Sequence, residues 1–116
     1  MARLSISRET IAADVELLKV SGDVDAHTFE DLESAMTEVF AQGCYRLIID
    51  ATDVVYVSSA GAGVLMAATL ETEANAGKIV VLNPAAATLD VLDLLGLTPL
   101  LTIANSREEA LALVRK

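Results

Sequence analysis

Apolar and polar positions along the chain alternate between two rhythms. Leu4-Ser5-Ile6 and Val15-Glu16-Leu17-Leu18-Lys19-Val20 predict two strands, the second largely buried, joined as an antiparallel pair by a turn around Thr10 to Asp14. The rhythm then becomes helical: Phe29, Leu32, Met36, Val39 and Phe40 fall on one face, with Thr28 and Asp31 as a capping pair and Gly43 as the stop. Arg46-Leu47-Ile48-Ile49-Asp50 predicts a central strand, and a helix follows Ser59 through Leu65 and Leu70 to about Ala76, broken by Gly77. Ile79 to Leu82 predicts a strand, and Asn83-Pro84 opens a helix carrying Leu89, Leu92 and Leu95 that stops at Gly96. A strand over Leu100 to Ile103 and a helix capped by Ser106, with Glu109 three residues on, complete the order β-β-α-β-α-β-α-β-α. Such alternation implies one α/β domain over 1–116, with a mixed or mostly parallel sheet and about four helices.

Composition narrows the reading. The chain has 116 residues, 53% of them apolar, but the only aromatics are Phe29, Phe40, Tyr45 and Tyr56, so Leu, Val, Ile and Ala must build the core. A single cysteine, Cys44, excludes an internal disulfide and suits a reducing compartment; its place at a strand start reads as a buried, inert thiol. The net charge of -9 argues against nucleic acid, whose phosphates demand Lys and Arg. Met1-Ala2-Arg3-Leu4-Ser5 has no apolar signal core, and the run Ala60 to Leu70 is too short to span a bilayer. These features predict a cytoplasmic protein with no membrane insertion of its own.

The most informative segment is Val54-Val55-Tyr56-Val57-Ser58-Ser59-Ala60-Gly61-Ala62-Gly63-Val64-Leu65-Met66. A β-branched run ends in two serines, and a small-residue turn opens into an apolar helix. This would raise a serine hydroxyl to the mouth of a sheet at a helix N-terminus, where free N–H groups favour an anion such as phosphate. The serine reads as one displayed for modification. Catalytic alternatives fail on their residues. Met66 stands where a dinucleotide fingerprint needs its third glycine, and no lysine follows the glycines as a phosphate-binding loop requires. Val57 occupies the first glycine position of a nucleophile elbow around Ser59, and the lone histidine, His27, suits a loop or a helix start. One histidine and one cysteine do not make a typical zinc site. Asp23 and Asp25 are expected just after the second strand, and Asp50 and Asp53 after the third; together they would form a carboxylate rim around the serine, or else ordinary turn chemistry.

Across essentially its whole length the chain resembles the STAS domain family, especially the stand-alone bacterial anti-sigma factor antagonists. The resemblance rests on Val20-Ser21-Gly22-Asp23-Val24-Asp25-Ala26-His27-Thr28, on Leu47-Ile48-Ile49-Asp50, on the Val54 to Leu65 segment, and on Leu94-Leu95-Gly96-Leu97 and Glu108-Glu109-Ala110-Leu111. With Gly61 on the signature glycine, the resemblance implies Ser59 as phospho-acceptor and puts Ser58 where an aspartate is usual, so Ser58 is a competing acceptor. It further implies partner switching: the unmodified form binds an anti-sigma factor that is also a serine kinase and frees a sigma factor. Phosphorylation ends the binding, and a PP2C-type phosphatase resets the cycle. Asp23, Asp25, Ser58, Ser59, Ala60, Gly61 and Gly63 would meet the partner. ATP would belong to the kinase, so the resemblance implies no cofactor for this chain. Alternatives are an accessory subunit of a membrane transport complex such as a lipid-transporting ABC assembly, a component of a larger signalling assembly, and a small serine hydrolase.

Overall fold

The computed structural model describes residues 4–116. Strands β1 (Ser5–Ala12) and β2 (Val15–Val24) form an antiparallel hairpin that turns over Ala13 and Asp14. Helix α1 (Phe29–Ala41), strand β3 (Arg46–Val57), helix α2 (Ser59–Ala74) and strand β4 (Lys78–Leu82) follow. Helix α3 (Ala86–Leu94), a 3-10 turn (Thr98–Leu100), strand β5 (Thr102–Ala104) and helix α4 (Arg107–Val114) complete the order. The strands lie as β1-β2-β3-β4-β5 in a single mixed sheet: β1 is antiparallel to β2, and every later pair is parallel. The expected α/β architecture is present.

The alternating strand pattern explains two cores. Leu18, Val20, Leu47, Ile49 and Val81 face the layer of α1, α2 and α3, where Leu32, Met36, Val39, Leu65 and Leu92 meet them. Val15, Leu17, Ile48 and Val80 face the opposite side, which α4 covers with Ala110 and Val114. Buried on both faces, the central strands are continuous apolar runs, as parallel strands require.

Several boundaries differ from the expectations for local physical reasons. β3 is one strand of 12 residues, so Asp50 and Asp53 lie inside it and do not follow it. Two irregularities in its pairing with β2 make this possible: Lys19 and Ser21 pair with Asp50 and Asp53, and Gly22 and Asp23 pair with Val54 and Tyr56. Each leaves one extra β3 residue, a bulge that reverses the inward phase. The buried positions therefore run Leu47, Ile49, Ala51 and then Val54, Val57, while Thr52-Asp53 and Val55-Tyr56 are exposed as pairs. Pro84 precedes α3, whose cap is Ala85; Asn83, at φ 54, makes the turn first. The strand expected at Leu100 to Ile103 begins only at Thr102, after the 3-10 turn. Cys44 is half-buried, with its thiol directed at the carbonyls of Asp14 and Arg46 at 3.4 and 3.5 Å.

Glu16 is the exceptional charged group, buried on β2 and held by the Arg8 guanidinium, which also reaches Gln42. Burial pushes the Glu16 carboxyl up, but hydrogen bonds from Thr10 and Arg8 and the Arg8 charge outweigh it, leaving its pKa below the ordinary glutamate value. A lowered carboxyl pKa stabilises the fold above the ordinary value, and this contribution disappears as pH falls through the folded-state value. Urea unfolding should therefore show E16Q less stable than wild type near neutrality, with the gap narrowing steadily on acidification. A gap constant with pH would show that the carboxylate charge is not what Arg8 holds.

Candidate functional site

The site forms where β2 and β3 end side by side. The Ser58 N–H donates to the Val24 carbonyl at 2.8 Å, continuing the β2–β3 ladder one step beyond Val57. Ser58 is extended (φ -87, ψ 175) and caps α2, its hydroxyl accepting from the Gly61 N–H at 3.3 Å. The Ala62 N–H donates to the Ser58 carbonyl at 2.9 Å and closes the first helical turn. Ser59 is then the first residue of α2, and it is exposed. The N–H groups of Ser59 and Ala60 have no intrahelical acceptor at this position. The adjacent serines thus differ by geometry: one hydroxyl is occupied by the helix and the other faces solvent.

Gly61 and Gly63 differ as sharply. A methyl group on Gly61 would lie 2.6 Å from Val24 Cγ1 and 2.7 Å from the Val24 carbonyl oxygen, so only glycine lets α2 come this close to β2. A methyl on Gly63 would meet nothing within 4 Å; that glycine leaves open space one turn beyond Ser59.

Asp23 and Asp25 flank Val24 and so stand beside the α2 start. Asp23 is half-buried and pairs across the ladder with Tyr56. Asp25 makes the turn into α1: its Oδ1 accepts from the His27 N–H at 2.8 Å. That bond most of all, with help from Thr28 and His27 and against some desolvation, holds the Asp25 carboxyl below the usual aspartate range. Asp25 is consequently ionised wherever the protein is folded at moderate pH. The expected Thr28 cap is not made. The Thr28 hydroxyl donates to the Asp23 carbonyl at 2.6 Å and accepts from the Asp25 N–H at 3.0 Å, bracing the turn instead of α1.

The carboxylate rim is therefore smaller than expected. Asp50 and Asp53 lie back along β3, on the order of 25 and 15 Å from Ser58 at ordinary strand rise. Asp50 accepts from the Thr52 N–H and hydroxyl at 3.1 and 2.6 Å, and Asp53 pairs with Lys19 at 3.6 Å. His27 is exposed in the turn before α1, where its backbone N–H donates to Asp25. Among the described residues no group of three or more His, Cys, Asp or Glu is placed to hold a metal, and no helix is long and apolar enough to cross a membrane.

Fold and site together define a small α/β domain that offers a serine at a helix start. A STAS domain model matches residues 9–110, and the chain belongs to that family. It is 28% identical over 111 residues to the anti-sigma F factor antagonist of Lysinibacillus sphaericus, covering 95% of this chain and 90% of that one. An anti-sigma factor antagonist from Mycobacterium paratuberculosis superposes with a TM-score of 0.87 at 26% identity, covering 98% of this chain and 96% of the other. The antagonist SpoIIAA in its unphosphorylated form gives 0.82 at 25% identity over 96% of both chains. Bacillus SpoIIAA in its phosphorylated form gives 0.74, also at 25%, over 96% of this chain and 100% of that one.

The two glycines yield a prediction. Gly61→Ala should cost roughly 1–3 kcal/mol by overpacking against Val24. Gly63→Ala should instead stabilise α2 by about 0.5–1 kcal/mol. Urea denaturation of the two variants would measure both signs, and equal effects would show that Gly61 is not the point of contact.

Proposed function

We propose that this protein is an anti-sigma factor antagonist that works by partner switching, with Ser59 as the phosphorylated residue. The observation that carries the proposal is the division of labour between the serines: Ser58 caps α2 through Gly61, and Ser59 presents its hydroxyl to solvent. Ser58 stands where the family usually has aspartate, and both residue types are strong N-caps. The substitution thus keeps the cap and changes only the local charge.

The residues beside exposed Ser59 are small, Ala60 and Gly63, and they permit close approach by an anti-sigma factor that is also a serine kinase. A phosphate there adds about −1.5 to −2 charges and substantial bulk. The helix N-terminus accommodates that charge within the protein. Asp23 and Asp25 already make the rim acidic, so a partner fitted to the bare hydroxyl must then desolvate a strongly anionic surface. Release of the kinase follows from this change, and a PP2C-type phosphatase would restore the binding form. The cycle belongs to the cytoplasm, where ATP and the sigma factor are found. The relatives named as antagonists, and the occurrence of SpoIIAA in a phosphorylated form, support the reading.

Tagged protein recovered from its native cells should bring with it a kinase-type anti-sigma factor, with phosphate mapped by mass spectrometry to Ser59. In binding assays with that kinase, Ser59→Glu should lower affinity at least about tenfold. Ser58→Ala should leave the acceptor in place while costing about 1 kcal/mol of stability through the lost cap, and Ser58→Asp should retain the cap. Recovery of a transporter ATPase with both serines unmodified would overturn the proposal, as would full kinase affinity in S59E.

A further inference from the structure

Charge in this protein is segregated by layer. Between Lys19 and Arg46, between Arg46 and Lys78, and between Lys78 and Arg107 the sequence has no lysine or arginine. Helices α1, α2 and α3 occupy those intervals and together hold eight carboxylates and no basic side chain. All three pack on one face of the sheet. The described cations lie on the strands, on α4 and just after it, and Arg8, Lys19, Arg46 and Arg107 each pair with a carboxylate. Among the described residues only Arg8, which lines a cleft with Asp31 and Glu38 at the β1 side of α1, brings a cation to this layer, and no lysine or arginine forms an ion pair with a carboxylate of the three helices.

A groove of about 330 Å³ runs between α1 and α2 in this layer. Met36 and Val64 are buried at its base, and Phe40 and Tyr45 stack at 5.5 Å along one side. Ala67, exposed on α2, keeps the opposite side low. Glu33 on α1 and Glu71 on α2 stand exposed on the two rims, and neither has an ion-pair partner among the described residues. An apolar floor between two carboxylate rims is complementary to a helix with an apolar stripe flanked by Lys or Arg.

We infer that the α1–α2 groove is a docking site for a basic amphipathic helix of a protein partner. An anionic membrane and a nucleic acid would meet the same carboxylates with repulsion. A second copy would bring its own acidic layer to the contact. The groove follows α2 from Val64 to Glu71, beyond the helix start that presents Ser59, so the inference is independent of the fate of that serine.

The test uses full-length protein and three synthetic peptides of equal length: a Leu–Lys amphipathic helix, a Leu–Glu helix of the same pattern, and oligolysine. Amide chemical shifts in a titration with the Leu–Lys helix should cluster on α1 and α2 around Glu33, Met36, Ala67 and Glu71. Binding should weaken steeply with added salt. Ala67→Arg, which fills and charges the groove from an exposed position, should weaken it at least about tenfold, and the double variant E33K/E71K should do the same. S59E should leave it unchanged. Equal affinity for oligolysine would reduce the effect to a diffuse field and overturn the inference. Equal affinity for the Leu–Glu helix, or shifts spread over the whole acidic layer, would overturn it too.

Discussion

The site depends on one close contact between backbones. Val24 ends β2 with its carbonyl accepting from Ser58 and its side chain against Gly61, where no Cβ would fit. That contact places the first turn of α2 directly on the sheet edge. It also brings the β2–α1 turn, with Asp23 and Asp25, beside Ser58 and Ser59. With the first turn seated on Val24, Ser58 has one role open to it, as the cap. Ser59 follows at the first helical position and is left outside. The exposure of one hydroxyl and the engagement of its neighbour both follow from how closely a helix can approach a strand.

Delivery of this contact depends on the bulges in β3. Along a regular strand that starts inward at Leu47, Asp53 and Val55 would turn into the core, and Val54 would face solvent. The extra residue near Thr52 reverses the phase, burying Val54 and releasing Asp53 to pair with Lys19. The second, at Val55, reverses it again and returns Val57 to the core just before the cap. Two local insertions thus let a strand with polar residues in its middle carry its apolar end to the right place under α2. The exposed Val55 and Tyr56 are the visible consequence.

This also explains what the sequence did and did not disclose. The helical spacing of Leu32, Met36 and Val39 is strong, because α1 has one buried stripe over a sheet, and Ser106 caps α4 through the Glu109 N–H as its local pattern implies. Gly43, at φ 83, ends α1 where a left-handed residue is required. The second half of β3 was hidden because Asp50 and Asp53 read as turn residues; only the pairing register shows that bulges accommodate them. Thr28 misled for a similar reason: its hydroxyl was already committed to the turn behind it. The exposed serine was legible from the small residues around it, but the separate roles of Ser58 and Ser59 required the cap geometry itself.

Surface charge supplies the last step. A net charge of -9 suggests little when treated as a property of the whole molecule. Its distribution says more, because the eight lysines and arginines are confined to the strands, α4, the two residues after it and the segment before β1. The α1–α3 layer is left with a uniform sign while its helices still pack tightly through Leu32, Met36, Leu65 and Leu92. Its stability comes chiefly from that apolar contact; Glu30 and Asp31 favour the start of α1, while the other carboxylates repel one another across the surface. A positive partner relieves this repulsion wherever it docks, and the α1–α2 groove adds an apolar floor of Met36 and Val64 on which the partner would bury surface. Attraction by charge is diffuse, whereas burial is local, and the two coincide on the flank of the helix that presents Ser59.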